Sequence, residues 1–249
     1  MQLEVYQTDA EAYEAAAALV AERLAAAARG GRAAVALPGG RGGRAFLLAL
    51  AARGEVPWAR VDVFFTDECW LPEGDARRTA QVARESLLAP RGVPGERVHA
   101  IAVDGHEPAT AAAAYRELLA RVPALDVAVV ELGAAGELAA VAPGGAAARS
   151  TERVVAIDAG ETAAGPRVPR VTLTLAGLRA ARHVVAIATG AARAPALAAA
   201  LREPLDPIGR PAQAVLPSPT TTWFVDRAAA EPLLRGAHPI RPETSSRVG

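Results

Sequence analysis

The stretch Ala33-Ala34-Val35-Ala36-Leu37-Pro38-Gly39-Gly40-Arg41-Gly42-Gly43 decides the fold. Five apolar residues have the length of a buried strand, glycines interrupt them, and the Ala/Leu-rich residues 44–52 behind them have helical composition. The same unit recurs along the chain. Strands are expected at 33–37, 61–65, 98–102, 127–131, 154–157, 171–174 and 184–188, with a weaker one at 222–225. Helices are expected at 10–29, 44–52, 79–88, 109–120 and 192–201. This alternation predicts an α/β fold with a mostly parallel, doubly wound sheet and helices on both faces. Such sheets bind ligands beyond the carboxyl ends of their strands. The turns after 33–37, 61–65 and 127–131 are therefore expected to meet at one edge.

With 249 residues, 51% of them hydrophobic, the chain can bury a large core. No polar linker divides it, so one domain over 1–235 is expected. The residues beyond, with Gly236, Pro239, Pro242, Thr244, Ser245 and Ser246, read as a loose tail over 236–249. A formal net charge of zero and a pI near 6.9 supply no basic field for nucleic acid or an anionic membrane, so a small-molecule partner is expected. The Ala-rich residues 11–28 carry Glu14, Glu22 and Arg23, which argues against a membrane span. A single cysteine, Cys69, excludes an intrachain disulfide, and the first residues lack a basic stretch followed by an apolar one, so a cytoplasmic protein is expected. All 27 Lys and Arg residues are arginine, so a Schiff-base mechanism has no lysine amine to use.

Three glycine- or carboxylate-bearing turns carry the candidate chemistry. Gly39, Gly40, Gly42 and Gly43 lie between a strand and a helix, where small residues let backbone N–H groups approach an anion and the helix N-terminus adds partial positive charge. Arg41 could hold a phosphate bidentately or stand solvated, and the glycines could equally serve a tight turn. The second turn reads Thr66-Asp67-Glu68-Cys69-Trp70-Leu71-Pro72, with two carboxylates at a strand end, and the third runs from Gly133 to Gly144.

The joint pattern resembles the 6-phosphogluconolactonase family over about residues 10 to 235. Pro38 to Gly43 match its Ser-Gly-Gly-Ser-Thr-Pro turn, Asp67 to Pro72 its Asp-Glu-Arg-x-Val-Pro stretch, and Gly133 to Pro143 its loop Gly-x-Asp-Gly-His-Thr-Ala-Ser-Leu-Phe-Pro. Arg170 to Leu175 match an Arg-x-Thr-Leu-Thr-Leu block; Ala181 to Val184, Thr189-Gly190 and Trp223 to Ala230 follow in order. The related aminosugar-phosphate isomerase/deaminases share the architecture, but the Asp-Glu-x-Trp-x-Pro and Thr-Leu-Thr-Leu blocks favour the lactonase side.

The resemblance implies a Rossmann-like fold of the lactonase/isomerase type, and hydrolysis of 6-phosphogluconolactone or a related sugar-derived lactone in the pentose phosphate pathway, without cofactor or metal. It implies Glu137 as base and Asp67 orienting water or sugar hydroxyls. Gly39, Gly40, Arg41, Gly42, Glu68, Gly136, Arg170 and Arg193 are then substrate-binding, and a monomer or weak homodimer is expected. The chain departs from the family pattern at the reactive positions. Glu137 replaces the loop histidine, Ala135 the aspartate, Leu138 and Ala140 the Thr and Ser, and Cys69 the arginine. Arg41-Gly42 replace Ser-Thr, Arg78-Thr79-Ala80 replace Ser-Asn-Tyr, and Arg193 stands for a phosphate-binding lysine. Two other readings therefore stay open: a non-catalytic homologue that binds a sugar phosphate or a partner, and a hydrolase or isomerase for a different substrate.

Cys69 has no histidine near it in sequence and reads as an inert, partly buried thiol. His99, His106 and His183 lack the spacing of metal ligands, and His183 reads as a backbone-bonding residue near the sheet edge.

Overall fold

Alternation along the strands tells how each face is covered. In Ala33–Leu37, Val35 and Leu37 pack into one apolar cluster while Ala34 and Ala36 pack into another, and all five residues are buried. A strand covered on both faces has no reason to alternate polar with apolar. The computed structural model describes residues 2–105, 107–162, 165–215 and 220–235. His106 and the expected tail over 236–249 lie outside the described residues.

In chain order the strands are β1 (Gln2–Tyr6), β2 (Ala33–Leu37), β3 (Val61–Phe65), β4 (Asp67–Cys69), β5 (Val127–Glu131), β6 (Val154–Ile157), β7 (Arg170–Leu173), β8 (His183–Ala188) and β9 (Thr221–Asp226). The helices are α1 (Asp9–Arg29), α2 (Gly40–Ala51), α3 (Thr79–Ala83), α4 (Pro108–Ala120), α5 (Ala146–Arg149), α6 (Leu175–Arg179), α7 (Ala194–Arg202) and α8 (Arg227–Arg235). Six strands form a sheet in the order β1-β9-β8-β5-β2-β3, every neighbouring pair parallel. From β2 the chain steps outward to β3, then crosses to β5 on the other side of β2 and continues through β8 to β9. The winding direction reverses between β2 and β5, and a ligand crevice belongs there.

Helices α1, α2 and α3 cover one face through Tyr13, Leu24, Phe46 and Val82. Helices α4, α7 and α8 cover the other through Tyr115, Leu197 and Ala229, in a cluster shared with Val154, Val171 and Leu173 of a second, antiparallel sheet ordered β4-β7-β6. Thr66 hands the chain from one sheet to the other. Its N–H donates to Leu37 O of β2 at 3.0 Å, and its carbonyl accepts from Leu173 N of β7 at 2.7 Å. Tyr115 fixes the same corner, its hydroxyl accepting from Phe65 N at 2.6 Å and donating to Phe65 O at 3.0 Å.

The parallel sheet agrees with expectation, with differences at its margins. Residues 98–102 do not form a strand: Val98 makes one bridge to Val63, and the chain then leaves the edge strand β3. Two strands were missed. β1 is a half-covered edge strand with Val5 exposed, and β4 is three residues long and polar. Helix α2 starts at Gly40, within the run that reads as a turn. Gly40 has φ +75°, a conformation open to glycine at little cost. Among the described residues no helix is long and apolar enough to cross a membrane.

Candidate functional site

The turns after β2, β3 and β5 lie at the same carboxyl edge, since those strands are parallel neighbours. Asp67 opens β4, and its carboxylate accepts from Arg170 Nη1 at 2.8 Å; Arg170 pairs opposite Cys69 in β7. Both side chains are buried almost completely. Cys69 lies beside them, and burial pushes its thiol up to about 11, the state of an unreactive cysteine at neutral pH.

Glu68 is only 1% exposed, and its carboxylate is filled by its own chain. It accepts from the amides of Thr79 at 2.7 Å, Ala80 at 3.1 Å and Cys69 at 2.9 Å, and pairs with Arg78 at 3.3 Å. The carboxylate thus caps the N-terminus of α3, which accounts for it without a ligand. Burial raises its pKa, opposed by the Ala80 and Thr79 amides and the Arg78 charge and helped by the Asp67 charge.

The last residue of β5, Glu131, was counted in the sequence as the end of an apolar run. Its carboxylate reaches the first turn of α2, where a Cβ added to Gly42 would overlap Glu131 Oε1. Tyr13 of α1 donates its hydroxyl to Glu131 Oε1 at 3.3 Å, and the same hydroxyl bonds Thr189 Oγ1 after β8 at 2.9 Å. Burial pushes the Glu131 carboxyl up to about 7; the Tyr13 hydrogen bond, the Arg193 charge and the Gly43 amide pull it down, and Asp67 pushes it further up. Burial likewise pushes Tyr13 up to about 12.

Arg193 is placed by the turn after β8. Asp226 at the end of β9 accepts from Gly190 N at 2.9 Å and from Ala229 N at 2.8 Å, fastening the turn to the start of α8. Arg41, by contrast, is exposed on the first turn of α2.

The loop after β5 closes on itself. Glu137 is 2% exposed, and its Oε2 accepts from Ala135 N at 3.2 Å; its carbonyl accepts from Gly133 N at 2.8 Å. Leu138 is fully buried and bridges to Leu132 and Val141. Gly136 has φ +90° and Ala139 φ +55°, the latter a strained conformation for a residue with a Cβ.

The sequence model described as Glucosamine-6-phosphate isomerases/6-phosphogluconolactonase matches residues 7–223. The 6-phosphogluconolactonase of Streptomyces coelicolor is 37% identical over 243 residues, covering 90% of this chain and 91% of that protein. The chain belongs to this family. The 6-phosphogluconolactonase of Homo sapiens is 31% identical over 92% of each chain. The solved 6-phosphogluconolactonase from Trypanosoma cruzi superposes with a TM-score of 0.81 at 22% identity, over 93% of this chain and 96% of that one.

The structure sets Gly42 of the glycine-bearing segment against Glu131, and the Asp67 and Arg193 charges, Asp67 paired with Arg170, act on the Glu131 carboxyl. Tyr13, Thr189 and Glu131 were not anticipated. The available signal was a lone charge closing an apolar strand just before a glycine-bearing loop. Elsewhere, His99 Nε2 bonds Asp62 Oδ1 at 3.0 Å and stacks on Phe64 with ring centroids 4.6 Å apart, at the opposite edge. His183 is partly buried at the start of β8, with its pKa lowered by burial. Among the described residues no group of three or more His, Cys, Asp or Glu could hold a metal ion.

Proposed function

We propose that this protein hydrolyses a sugar-derived lactone, 6-phosphogluconolactone or a close relative, at the crevice between β2 and β5. The reading is supported by one juxtaposition: the buried Asp67–Arg170 pair, and Glu131 seated against Gly42 within reach of the Asp67 and Arg193 charges, at the strand ends where the winding of the sheet reverses. The names of its relatives support the same reading.

Lactone hydrolysis needs a base for water, a cationic or N–H group for the oxyanion, and a hold on the phosphate. Two carboxylates compete for the role of base: Glu137, at the position the family gives to its histidine, and Glu131. Asp67, fixed by Arg170, orients water or sugar hydroxyls. Gly39, Gly40, Arg41, Gly42 and Gly136 border the ligand, and Arg41 and Arg193 hold its phosphate.

A binding protein without catalysis is the rival reading. It is favoured by Glu137, whose carboxylate accepts from an amide of its own loop, and by the loss of polar side chains at Ala135 and Leu138. The test is hydrolysis of 6-phosphoglucono-δ-lactone at neutral pH against the spontaneous rate. Acceleration is expected; a rate equal to buffer refutes the lactonase reading and leaves the binding protein.

A further inference from the structure

We infer that Glu131, seated between the first turn of α2 and the Tyr13 hydroxyl, is the group that takes the proton from the attacking water. This rests on the lactone reading above and names its base. Glu131 closes the central strand β5, beside β2, on the line where a doubly wound sheet opens its ligand crevice. Its seat is built for it. Position 42 has no side chain, and the space that a Cβ would take there is held by Glu131 Oε1. Tyr13 donates to that oxygen at 3.3 Å while bonded to Thr189 at 2.9 Å, so α1 and the end of β8 jointly orient the carboxyl.

Glu131 is partly exposed as a residue and its carboxyl is held from other elements, whereas Glu68 and Glu137 are 1% and 2% exposed, Glu68 accepting from the Cys69, Thr79 and Ala80 amides and Glu137 from the Ala135 amide of its own loop. The groups facing Glu131 are Tyr13 from α1, the Gly43 amide from α2, Asp67 from β4 and Arg193 from the turn before α7. Their balance against burial leaves the carboxyl titrating near 7, where a general base combines availability with basicity.

In the step proposed, the Glu131 carboxylate removes a proton from water as the water oxygen bonds to the lactone carbonyl carbon. The carbonyl electron pair moves onto its oxygen. The intermediate collapses by re-forming the carbonyl and breaking the bond to the ring oxygen, which takes the proton back from Glu131. One water is added, and Glu131 ends ionised as it began.

The test is kcat/KM for 6-phosphoglucono-δ-lactone from pH 5.5 to 9, corrected for spontaneous hydrolysis, in wild type, Glu131→Gln and Glu137→Gln. The Glu131 carboxyl is followed in parallel by carbon-13 NMR. Wild type is expected to lose about tenfold per pH unit below a midpoint near 7. Glu131→Gln, close in size, is expected to lose about 10²–10⁴ of the rate together with that midpoint. Glu137→Gln is expected to lower the rate through its loop while leaving the midpoint in place. A midpoint that survives in Glu131→Gln and vanishes in Glu137→Gln overturns the assignment and leaves the lactonase reading standing. A Glu131 carboxyl that titrates in the ordinary range near 4.3 overturns it whatever the activity. A wild-type rate equal to buffer at every pH refutes the lactonase reading, and the role of Glu131 with it.

Discussion

Replacing Gly42 by alanine tests whether the first turn of α2 and Glu131 are mutually fitted. A Cβ at position 42 would overlap Glu131 Oε1 and crowd its Cδ and the Tyr13 hydroxyl at 2.6 Å each. Tyr13 is the end of a long side chain and can shift, but the Glu131 carboxyl is fixed from two sides. Overpacking of this kind costs about 1–3 kcal/mol. At roughly 2–4 °C per kcal/mol for a chain of this size, Tm falls by about 2–12 °C.

The control is the same substitution in Glu131→Ala. With the carboxylate gone, the new methyl has room, and alanine's helix preference over glycine contributes up to about 1 kcal/mol of stability. Gly42→Ala is then expected to be neutral or stabilising. The two substitutions should therefore couple by about 1–3 kcal/mol in a double-mutant cycle read by thermal or denaturant unfolding. Additive costs, within about 0.5 kcal/mol, would refute the claim that glycine at 42 exists to admit Glu131.

Other consequences are testable alongside. Glu131 is raised from 4.5 to about 7 in the folded chain, so between those values the folded state holds a proton that the unfolded state has lost. That stability is fully present below the unfolded pKa and disappears as pH rises through about 7; it amounts to at most about 3–4 kcal/mol at 1.36 kcal/mol per unit. Denaturant unfolding at pH 5 and 7.5 should show the fall in wild type and lose that share of it in Glu131→Gln; parallel curves would count against a buried, uptitrated carboxyl. Glu68→Gln should cost about 3–5 kcal/mol, because Arg78 then lies buried without its counter-charge, and an unchanged Tm would contradict the capping role. Arg193→Ala removes a charge that lowers the Glu131 pKa, so the NMR midpoint should move upward; a midpoint that stays or falls would place the arginine too far away to matter. The same variant should lose the rise in Tm that 6-phosphogluconate gives wild type, a rise worth about 2.7 kcal/mol at 100 times the dissociation constant.

What could be read from the sequence follows from burial. Strands β2, β3, β5 and β6 are short, mostly apolar runs bounded by turn residues, and their limits agree with the expected ones; Asp62 inside β3 and Glu131 at the end of β5 are the polar exceptions. β4 is Asp-Glu-Cys, whose buried carboxylates are compensated by Arg170, Arg78 and backbone amides that no local pattern reveals. The reverse held at 98–102, where an apolar stretch beside an edge strand had one bridge to make and no ladder. The three turns were legible as glycines and carboxylates at strand ends. The pairing of Gly42 with Glu131 was not, because one residue contributes only by lacking a Cβ and the other lies far along the chain.

That pairing also changes what the glycine-bearing turn can offer a ligand. The expectation for Gly39 to Gly43 was an anion seat on backbone amides at a helix N-terminus. Here the Gly43 amide already acts on the Glu131 carboxyl, so the chain supplies an acidic group of its own at that seat. Two like unit charges about 4 Å apart repel by about 4 kcal/mol at an effective dielectric near 20. A phosphate is therefore not expected to share the seat with an ionised Glu131, and the proposed phosphate contact rests on the arginines at the border, with Arg193 the cation that acts on Glu131. Phosphate affinity should then weaken as pH rises through 7 in wild type beyond what phosphate ionisation explains, and hold steadier in Glu131→Gln. Calorimetric titration with inorganic phosphate at pH 6 and 8 reads this directly, and equal pH dependence in both proteins would return the phosphate to the amides.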